Sequence, residues 1–180
     1  MIYGERVRLR AVEREDLPHF VRWLNDPEVQ RGLTLYRPLS LAEEEQWFEN
    51  LAQQPRDERP LAIEIREGEE WRLVGNSSLM HIDWRNRSAE VGLFIGEKRY
   101  WDRGYGSEVL RLWLRYAFET LNLNRVYLHV HANNRRAVHV YEKVGFVLEG
   151  RLRQAVYQDG EYHDVLVMSV LRSEWKSEGG

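Results

Sequence analysis

Two spacings of hydrophobic residues recur along the 180-residue chain, one typical of strands and the other typical of helices. Near the start, Val7, Leu9 and Ala11 alternate with polar residues, which predicts a strand with these three side chains on one face. The next segment, "EDLPHFVRWLNDP", predicts a short helix that Asp16 caps and Pro27 stops. The pattern therefore indicates a strand followed by a helix in the first part of the chain.

The rest of the chain continues with strands and helices in mixed order. Ser40 and Glu43 have the spacing of a capping box, which predicts a helix over "SLAEEEQWFENL". Strand-like runs follow at "PLAIEIRE", "WRLVGNSSLMHIDW" and "AEVGLFIG", and a helix then separates them from a strand at "RVYLHVHA". A last helix ends at Gly145, and Asp159-Gly160 predicts a hairpin turn. Because a helix crosses over between two strands, we predict an α/β fold class with at least one parallel strand pair.

The composition is that of one ordinary globular domain, with 43% hydrophobic and 31% charged residues. No cysteine is present, which excludes disulfides, a thiol nucleophile and a thiolate metal site. The net charge of −3 argues against non-specific nucleic-acid binding. No apolar run reaches the ~20 residues that span a bilayer, so we expect no membrane association. The start of the sequence lacks the pattern of a secretory signal, and we expect a cytoplasmic protein.

Two glycines, Gly104 and Gly106, stand directly before a strongly amphipathic helical pattern in "YWDRGYGSEVLRLWLRYAF". The first N–H groups of a helix have no partner inside it, and glycines let the backbone approach a ligand closely. Lys98, Arg99 and Arg103 add positive charge nearby in the sequence. The segment, called here the glycine turn (residues 102–107), therefore predicts an anion site such as a phosphate cradle. A plain tight turn is the alternative. The apolar face of the helix comprises Val109, Leu110, Trp113, Ala117 and Leu121.

Two common nucleotide-binding motifs do not match the glycine turn. A dinucleotide fingerprint requires a third glycine at the position that Val109 occupies. A P-loop requires Gly-Lys followed by Ser or Thr, which the chain lacks.

The segments "AEVGLFIG", "RGYGSE" and "NNRRAVHVYEKVGF", in this order, resemble the GNAT superfamily of acyl-CoA-dependent N-acetyltransferases. The C-terminal segment resembles the branch with ribosomal-protein N-terminal and spermidine acetyltransferases. The resemblance implies a single domain over residues 1–180, with a core over about 5–171 and a tail over 173–180. It also implies a central, twisted, mostly antiparallel sheet with a splayed parallel strand pair, flanked by about four helices. Trp101 departs from the family pattern R/Q-x-x-G-x-G/A at its first position.

The same resemblance implies acetyl-CoA as co-substrate. The coenzyme pyrophosphate would lie on the glycine turn, and amides of a bulged strand over 93–95 would face the thioester oxygen. Pantetheine would lie between this strand and "RVYLHVHA", where the two splay apart. Asn134 would bond the coenzyme arm, or cap its helix, or do both. The implied cofactor-binding residues are Leu93, Phe94, Ile95, Arg99, Asp102, Arg103, Gly104, Tyr105, Gly106, Ser107, Asn134, Ala137 and Tyr141.

Two residues are candidates for proton transfer. Tyr141 occupies the position of the family's tyrosine near the coenzyme sulfur, where it would protonate the departing thiolate; its alternative is core packing. A free tyrosine titrates near ~10 and a thiol near ~8.5, so this transfer would cost little. Glu90 is the candidate base, acting through water, with an ion pair to Arg85 or Arg87 as its alternative. A carboxylate near ~4.3 deprotonates an α-amine near ~8 more easily than a lysine-like amine near ~10.4.

This energetic argument favours a peptide or protein N-terminal α-amine as the acceptor, attacked directly by the amine. A spermidine-like polyamine or another small amine is the alternative. Tyr36, Trp84 and Glu90 are the candidate acceptor-binding residues, and Trp47 is a further aromatic candidate. We expect no direct nucleic-acid partner, and a homodimer is an open expectation.

Three alternatives concern the chemistry of the site. An idle domain that binds coenzyme A as a sensor would keep the glycine turn but would not need Tyr141 and Glu90. An ATP-binding protein would use the same turn for a different phosphate. A metal site at His129 and His131, with His81 nearby, is not expected, because a His-x-His spacing alone is a weak signal.

Overall fold

The computed structural model describes residues 1–176, which form eight strands and five α-helices. Among these residues, no helix is long and apolar enough to cross a membrane. The strands are β1 (Ile2–Tyr3), β2 (Val7–Ala11), β3 (Leu61–Glu67), β4 (Glu70–Asp83), β5 (Ser88–Ile95), β6 (Arg125–His131), β7 (Val147–Gln158) and β8 (Glu161–Leu171). The helices are α1 (Leu17–Leu24), α2 (Pro27–Gln30), α3 (Leu41–Asn50), α4 (Tyr105–Arg115) and α5 (Arg135–Val144).

The strands hydrogen-bond in the order β1-β2-β3-β4-β5-β6-β8-β7. β5 and β6 run in parallel, whereas β1–β2, β2–β3, β3–β4, β6–β8 and β7–β8 are antiparallel. The predicted α/β class and the predicted parallel pair are therefore confirmed, with five helices where about four were expected.

The chain groups into two compact units. The first unit comprises Met1–Leu79 and Gly92–Val109, and the second comprises Met80–Val91 and the residues from Leu110 onward. The expected boundaries, a core over 5–171 and a tail over 173–180, stay a prediction. Residues 177–180 of that tail lie outside the described residues.

The core of the first unit forms around α1, because this helix buries one apolar face. Phe20 lies at its centre and packs edge-on against Trp47 of α3 and Phe94 of β5, with ring centroids 6.3 Å apart in each case. The predicted strand over Val7, Leu9 and Ala11 is present; Val7 and Leu9 are buried, whereas Ala11, at the end of the strand, is exposed. The buried members of the core are Val12, Leu17, Phe20, Trp23, Leu24 and Ala62.

The helix ends in the first unit confirm some local signals and correct others. Ser40 accepts from the Glu43 amide at 3.2 Å, and Glu43 accepts from the Ser40 amide at 2.8 Å, which is the predicted capping box. Asp16 stands at the N-cap position of α1, but its side chain does not cap this helix. Its carboxylate accepts from the Arg10 guanidinium at 2.7 and 2.9 Å and from the Glu13 amide at 2.9 Å, which completes a capping box at the short helical turn before α1. Pro27 does not only stop α1; it is the first residue of α2, which Asp26 caps.

The second unit contains the C-terminal hairpin and α5, and its turns match the sequence signals. Gly145 ends α5 in the left-handed conformation with φ 114°, as predicted. Asp159 and Gly160 join β7 to β8 with φ 53° and 84°, the positive values that a two-residue hairpin turn requires. The buried face of α4 and of the helical turn over Tyr116–Thr120 is wider than the predicted stripe, since Leu112, Leu114 and Phe118 are buried as well; Leu121 of the predicted stripe is half-buried.

Glu44 on α3 is a buried carboxyl, with 5% of the residue exposed. Burial raises its pKa to about 7, from 4.5. A carboxyl whose pKa is raised in the folded state stabilises the fold below its unfolded pKa, and this contribution is lost as the pH rises to about 7.

We expect Glu44→Gln to raise the free energy of unfolding by about 2 kcal/mol at pH 8.5 and to change it little at pH 5. Urea denaturation at the two pH values measures both differences. Glu45→Gln, on the exposed side of the same helix, is the control and should have a small effect at either pH. An equal effect of Glu44→Gln at both pH values would contradict the raised pKa.

Candidate functional site

The glycine turn lies in the first unit and has the backbone geometry of a tight entry into a helix. Asp102 and Gly104 both have positive φ, at 59° and 82°. α4 begins at Tyr105, and its first turn is closed by the Glu108 amide, which donates to the Gly104 carbonyl at 3.1 Å. The amides of residues 105–107 precede this bond and belong to the helix end that has no internal partner. The turn thus presents backbone donors and the positive end of the α4 dipole.

The basic residue that contacts this turn is Arg6, which the sequence analysis did not identify. Its Nη1 donates to the Arg103 carbonyl at 3.2 Å, and its guanidinium lies 4.8 Å from the centre of the Tyr105 ring. Glu108 holds Arg6 in place by accepting from its Nε at 3.1 Å and from its backbone amide at 2.7 Å. No local signal could have revealed this contact, because Arg6 precedes Glu108 by 102 residues.

The three cations that the sequence placed near the turn have different surroundings. Lys98 pairs with Asp26 at 2.8 Å and with Glu28 at 2.5 Å, so its charge is already neutralised. The hydrogen bond to Asp26 is the largest cause that raises the pKa of Lys98. Arg99 and Arg103 instead lie against the Tyr100 ring, at 4.6 and 5.9 Å from its centre.

The strand end before the turn is fixed by close backbone packing within the first unit. The Trp101 indole donates to the Ile95 carbonyl at 2.7 Å, which gives this departure from the family pattern a structural role. A Cβ at Gly75 would lie 2.0 Å from the Phe94 carbonyl oxygen, so only glycine permits this approach of β4 to β5. A register shift on β4 makes Val74 the extra residue, and the Val74 carbonyl accepts from two amides beyond β5. The oxyanion role of residues 93–95, and a bulge on β5 itself, stay predictions.

Glu90 lies in the second unit, at the centre of a cluster with two histidines. Its Oε1 contacts Nδ1 of His129 at 2.7 Å, and its Oε2 contacts Nδ1 of His81 at 2.9 Å. The alternative partners Arg85 and Arg87 do not pair with Glu90 in the described part of the chain. We call His81, Glu90 and His129 the Glu90 cluster.

Three separate strands bring the Glu90 cluster together. Glu90 is on β5, where it pairs in register with Tyr127 of β6, and His129 is two residues further along β6. His81 is on β4 and has φ 52°, an unusual value for a non-glycine residue inside a strand. The parallel pairing of β5 with β6 covers only residues 88–90 with residues 125–127, although β6 continues to His131.

Tyr141 lies on α5 and is half-buried against Phe146, with ring centroids 5.8 Å apart. Burial raises the pKa of Tyr141 to about 12, so its phenol is a weaker acid than the sequence argument assumed. At the start of the same helix, Asn134 Oδ1 accepts from the Ala137 amide at 3.2 Å. The capping role of Asn134 is therefore confirmed, and its side-chain NH₂ keeps the capacity to donate to a ligand.

The predicted aromatic residues have different environments. Tyr36, in the first unit, and Trp84, in the second, are exposed. Trp47 packs against Phe20 in the core of the first unit, so the packing alternative is correct for this residue. Ser107, in the glycine turn, is buried.

His131, the remaining histidine of the unexpected metal site, is buried, and its Nδ1 has no hydrogen-bond partner in the described residues. Across residues 1–176, no group of three or more histidine, aspartate or glutamate side chains has the arrangement of a metal site.

Comparison with known proteins places these features in a family. The family profile described as "Acetyltransferase (GNAT) domain" matches residues 6–147. The chain is 32% identical to the spermidine N(1)-acetyltransferase of Vibrio cholerae over 172 residues, which cover 96% of each chain. It is 38% identical over 106 residues to the putative ribosomal N-acetyltransferase YdaF of Bacillus subtilis, which cover 59% of this chain and 57% of that protein.

A solved structure gives the same result. The crystal structure of spermidine N-acetyltransferase from Vibrio cholerae in complex with CoA and spermine matches with a TM-score of 0.84 at 31% identity. The match covers 95% of this chain and 98% of that chain. The protein described here therefore belongs to the GNAT family and is an N-acetyltransferase that uses acetyl-CoA as its co-substrate.

Proposed function

We propose that this acetyltransferase transfers the acetyl group of acetyl-CoA to a primary amine of a polyamine of the spermidine class. One observation carries the proposal: relatives named for spermidine acetylation match nearly the whole chain. The sequence argument favoured an N-terminal α-amine, and the comparisons favour the polyamine alternative instead.

The composition of the Glu90 cluster weakens the energetic objection to a polyamine as the acceptor. That objection assumed that a carboxylate is the proton acceptor. A free imidazole titrates near ~6.5 and a free glutamate near ~4.3, so imidazole is the better base by about 3 kcal/mol. Because Glu90 bonds to two imidazoles, the group that receives the proton need not be the carboxylate. A strongly basic amine is then an acceptable substrate.

In this proposal, residues of the chain bind the coenzyme and transfer the protons. In the first unit, the amides of the glycine turn bind the coenzyme diphosphate, and Arg6 and Arg103 support the turn electrostatically. Residues 93–95 provide amides for the thioester oxygen, which gains negative charge in the transition state. In the second unit, Asn134 donates to the coenzyme arm and Tyr141 protonates the leaving thiolate. With no cysteine in the chain, the amine attacks the thioester directly.

One charged side chain and two aromatic side chains are assigned to bind the acceptor. Glu90 supplies negative charge beside the reacting amine, and the exposed rings of Tyr36 and Trp84 are surfaces on which a cationic chain can lie. A polyamine suits this combination because its charges are separated by apolar methylene segments. A homodimer stays a prediction.

An N-terminal α-amine is the second candidate, favoured by the match to the putative ribosomal N-acetyltransferase. The two candidates differ in the basicity and charge of the acceptor. A peptide with a free N-terminus and no lysine represents the second class.

Steady-state kinetics with spermidine and with that peptide tests the proposal. We expect kcat/KM for spermidine to exceed that for the peptide by at least about tenfold, since the loss of one cationic contact costs on the order of 1.4 kcal/mol. Released coenzyme A is measured with a thiol reagent, which the cysteine-free protein does not consume. An N-acetylated peptide is the control. A peptide rate equal to or above the spermidine rate would contradict the polyamine assignment.

A further inference from the structure

We propose that Nε2 of His129 is the proton acceptor of the reaction and that Glu90 is the residue that positions it. This inference rests on the proposed acetylation of a polyamine. It reverses the role that sequence reasoning gave to Glu90, from the base itself to the group that orients the base.

The hydrogen bonds of Glu90 carry the inference. A carboxylate can only accept hydrogen bonds, so each histidine Nδ1 in contact with it must carry the proton. A neutral imidazole protonated at Nδ1 has its lone pair at Nε2. Both oxygens of Glu90 are therefore occupied, whereas the two Nε2 atoms are available as bases.

The three side chains of the Glu90 cluster differ in how much of their surface is exposed to solvent. The Glu90 side chain is 15% exposed, and the His129 and His81 side chains are 41% and 72% exposed. An acceptor that arrives from solvent thus reaches an imidazole more easily than the carboxylate. The arrangement is that of a partly buried acid that fixes the tautomer and orientation of a histidine base.

His129 is better placed than His81 to act as the base. It lies within β6, paired in register with Val167 of β8, and its ring lies edge-on to Tyr127 at 5.9 Å. Its contact with Glu90 is the shorter of the two. A base on a paired strand keeps its orientation, which general-base catalysis requires.

His81 is assigned as a second positioning residue. Its left-handed backbone, with φ 52°, turns the chain at the point where the side chain reaches Glu90. Such conformations cost energy in non-glycine residues and persist where the surroundings hold them. By occupying Oε2, His81 prevents the carboxylate from rotating away from His129.

The charges near the cluster leave its own charge uncompensated. Arg125 pairs with Glu149 at 2.8 Å, and Tyr127 lies opposite Glu90. Asp83, two residues after His81 on β4, accepts from the Asn86 amide at 2.8 Å. With both imidazoles neutral, the cluster carries one negative charge, which attracts an ammonium group. Protonation of His129 removes both the base and this attraction.

In the proposed step, one acetyl group moves from sulfur to nitrogen and one proton is released. The acceptor ammonium gives one proton to Nε2 of His129, and its nitrogen lone pair forms a bond to the thioester carbon. The carbon–sulfur bond breaks, and the thiolate takes the proton of the Tyr141 hydroxyl. Tyr141 regains a proton from the acetylated nitrogen. The products are the N-acetylated amine and coenzyme A, and His129 releases the first proton to solvent.

The test is His129→Asn, which keeps an N–H donor for Glu90 but has no atom equivalent to Nε2. We expect kcat/KM for spermidine to fall by about 10²-fold or more, with unchanged acetyl-CoA affinity. The wild-type kcat/KM should decline as the pH falls, because protonation of Nε2 removes the base, and the variant should lose this decline. His81→Asn should reduce kcat/KM by less than about tenfold and keep the decline, as expected of a positioning residue. His139→Asn, exposed on α5, is the control and should match the wild type.

The outcomes separate this inference from the proposed function. A wild type that binds acetyl-CoA but acetylates no polyamine refutes the proposed function. A wild type that acetylates spermidine with no acid decline refutes the role of His129 without any variant. A wild-type value of kcat/KM in the His129→Asn variant would also refute the role of His129. If His129→Asn does not fold, the wild-type pH profile and the His81→Asn profile still decide.

Discussion

Tyr141→Phe is expected to lower kcat for spermidine by about 10²-fold while leaving the affinity for acetyl-CoA nearly unchanged. The ring contact with Phe146, 5.8 Å between centroids, does not involve the hydroxyl, so the variant keeps its packing. Loss of the hydroxyl removes the proton donor for the thiolate. Only the step in which the carbon–sulfur bond breaks should therefore slow down.

The raised pKa of Tyr141 adds a pH signature to this prediction. Because its pKa is about 12, the phenol stays protonated throughout the usual assay range, and the rate should not decline toward base on account of this group. Transfer of its proton to a fully solvated thiolate, near ~8.5 for the thiol, would be uphill by about 5 kcal/mol. Burial of the coenzyme sulfur would raise the pKa of its thiol as well, which reduces the free-energy cost of this proton transfer.

Single-turnover kinetics and an acetyl-CoA titration measure the two quantities separately. Tyr157→Phe is the control, because Tyr157 is exposed on β7 and packs against Tyr162 in the hairpin. Wild-type turnover in Tyr141→Phe would remove the tyrosine from the mechanism. A parallel loss of acetyl-CoA affinity would instead make it a binding residue.

Gly104→Val is expected to weaken acetyl-CoA binding by about 10²-fold. Gly104 has φ 82°, which a β-branched residue adopts only with strain. A Cβ there would lie 3.3 Å from Nη2 of Arg6, whose other nitrogen bonds to the Arg103 carbonyl. Relief of this strain would move the turn and misdirect at least two amides, each worth about 1.5–3 kcal/mol against a charged phosphate.

A thermal-shift titration with acetyl-CoA measures this loss, because ligand binding to the folded state raises the apparent stability. Gly150→Val is the matched control. Gly150 lies on β7 without a positive φ, and a Cβ there would meet no atom within 4 Å. Equal stabilisation of the Gly104→Val variant and the wild type by acetyl-CoA would place the coenzyme diphosphate elsewhere.

Local sequence signals predicted the parts of the fold that depend on neighbouring residues. The Ser40–Glu43 capping box, the left-handed end of α5 at Gly145 and the hairpin turn at Asp159–Gly160 were all predicted correctly. Each is determined by backbone geometry within a few residues. Asp16 lies at the predicted N-cap position of α1, but its side chain does not cap this helix, because the carboxylate binds Arg10 from the preceding strand and the Glu13 amide.

The candidate site was predictable only where a motif is contiguous. The glycine turn and the position of Tyr141 could be assigned from short segments. The partners of Glu90 could not, since His81 and His129 reach it from two other strands and the sequence offered only nearby arginines. Arg6 was missed for the same reason, because its contact with the turn depends on the packing of β2 against the start of α4.

Mass spectrometry of spermidine after incubation with the protein and acetyl-CoA is a direct test of whether the enzyme acetylates a polyamine. We expect spermidine that carries one acetyl group, formed in proportion to the coenzyme A released, and about 10²-fold less of this product from the Tyr141→Phe variant in the same time. Unmodified spermidine alongside rapid acetylation of a peptide N-terminus would contradict it.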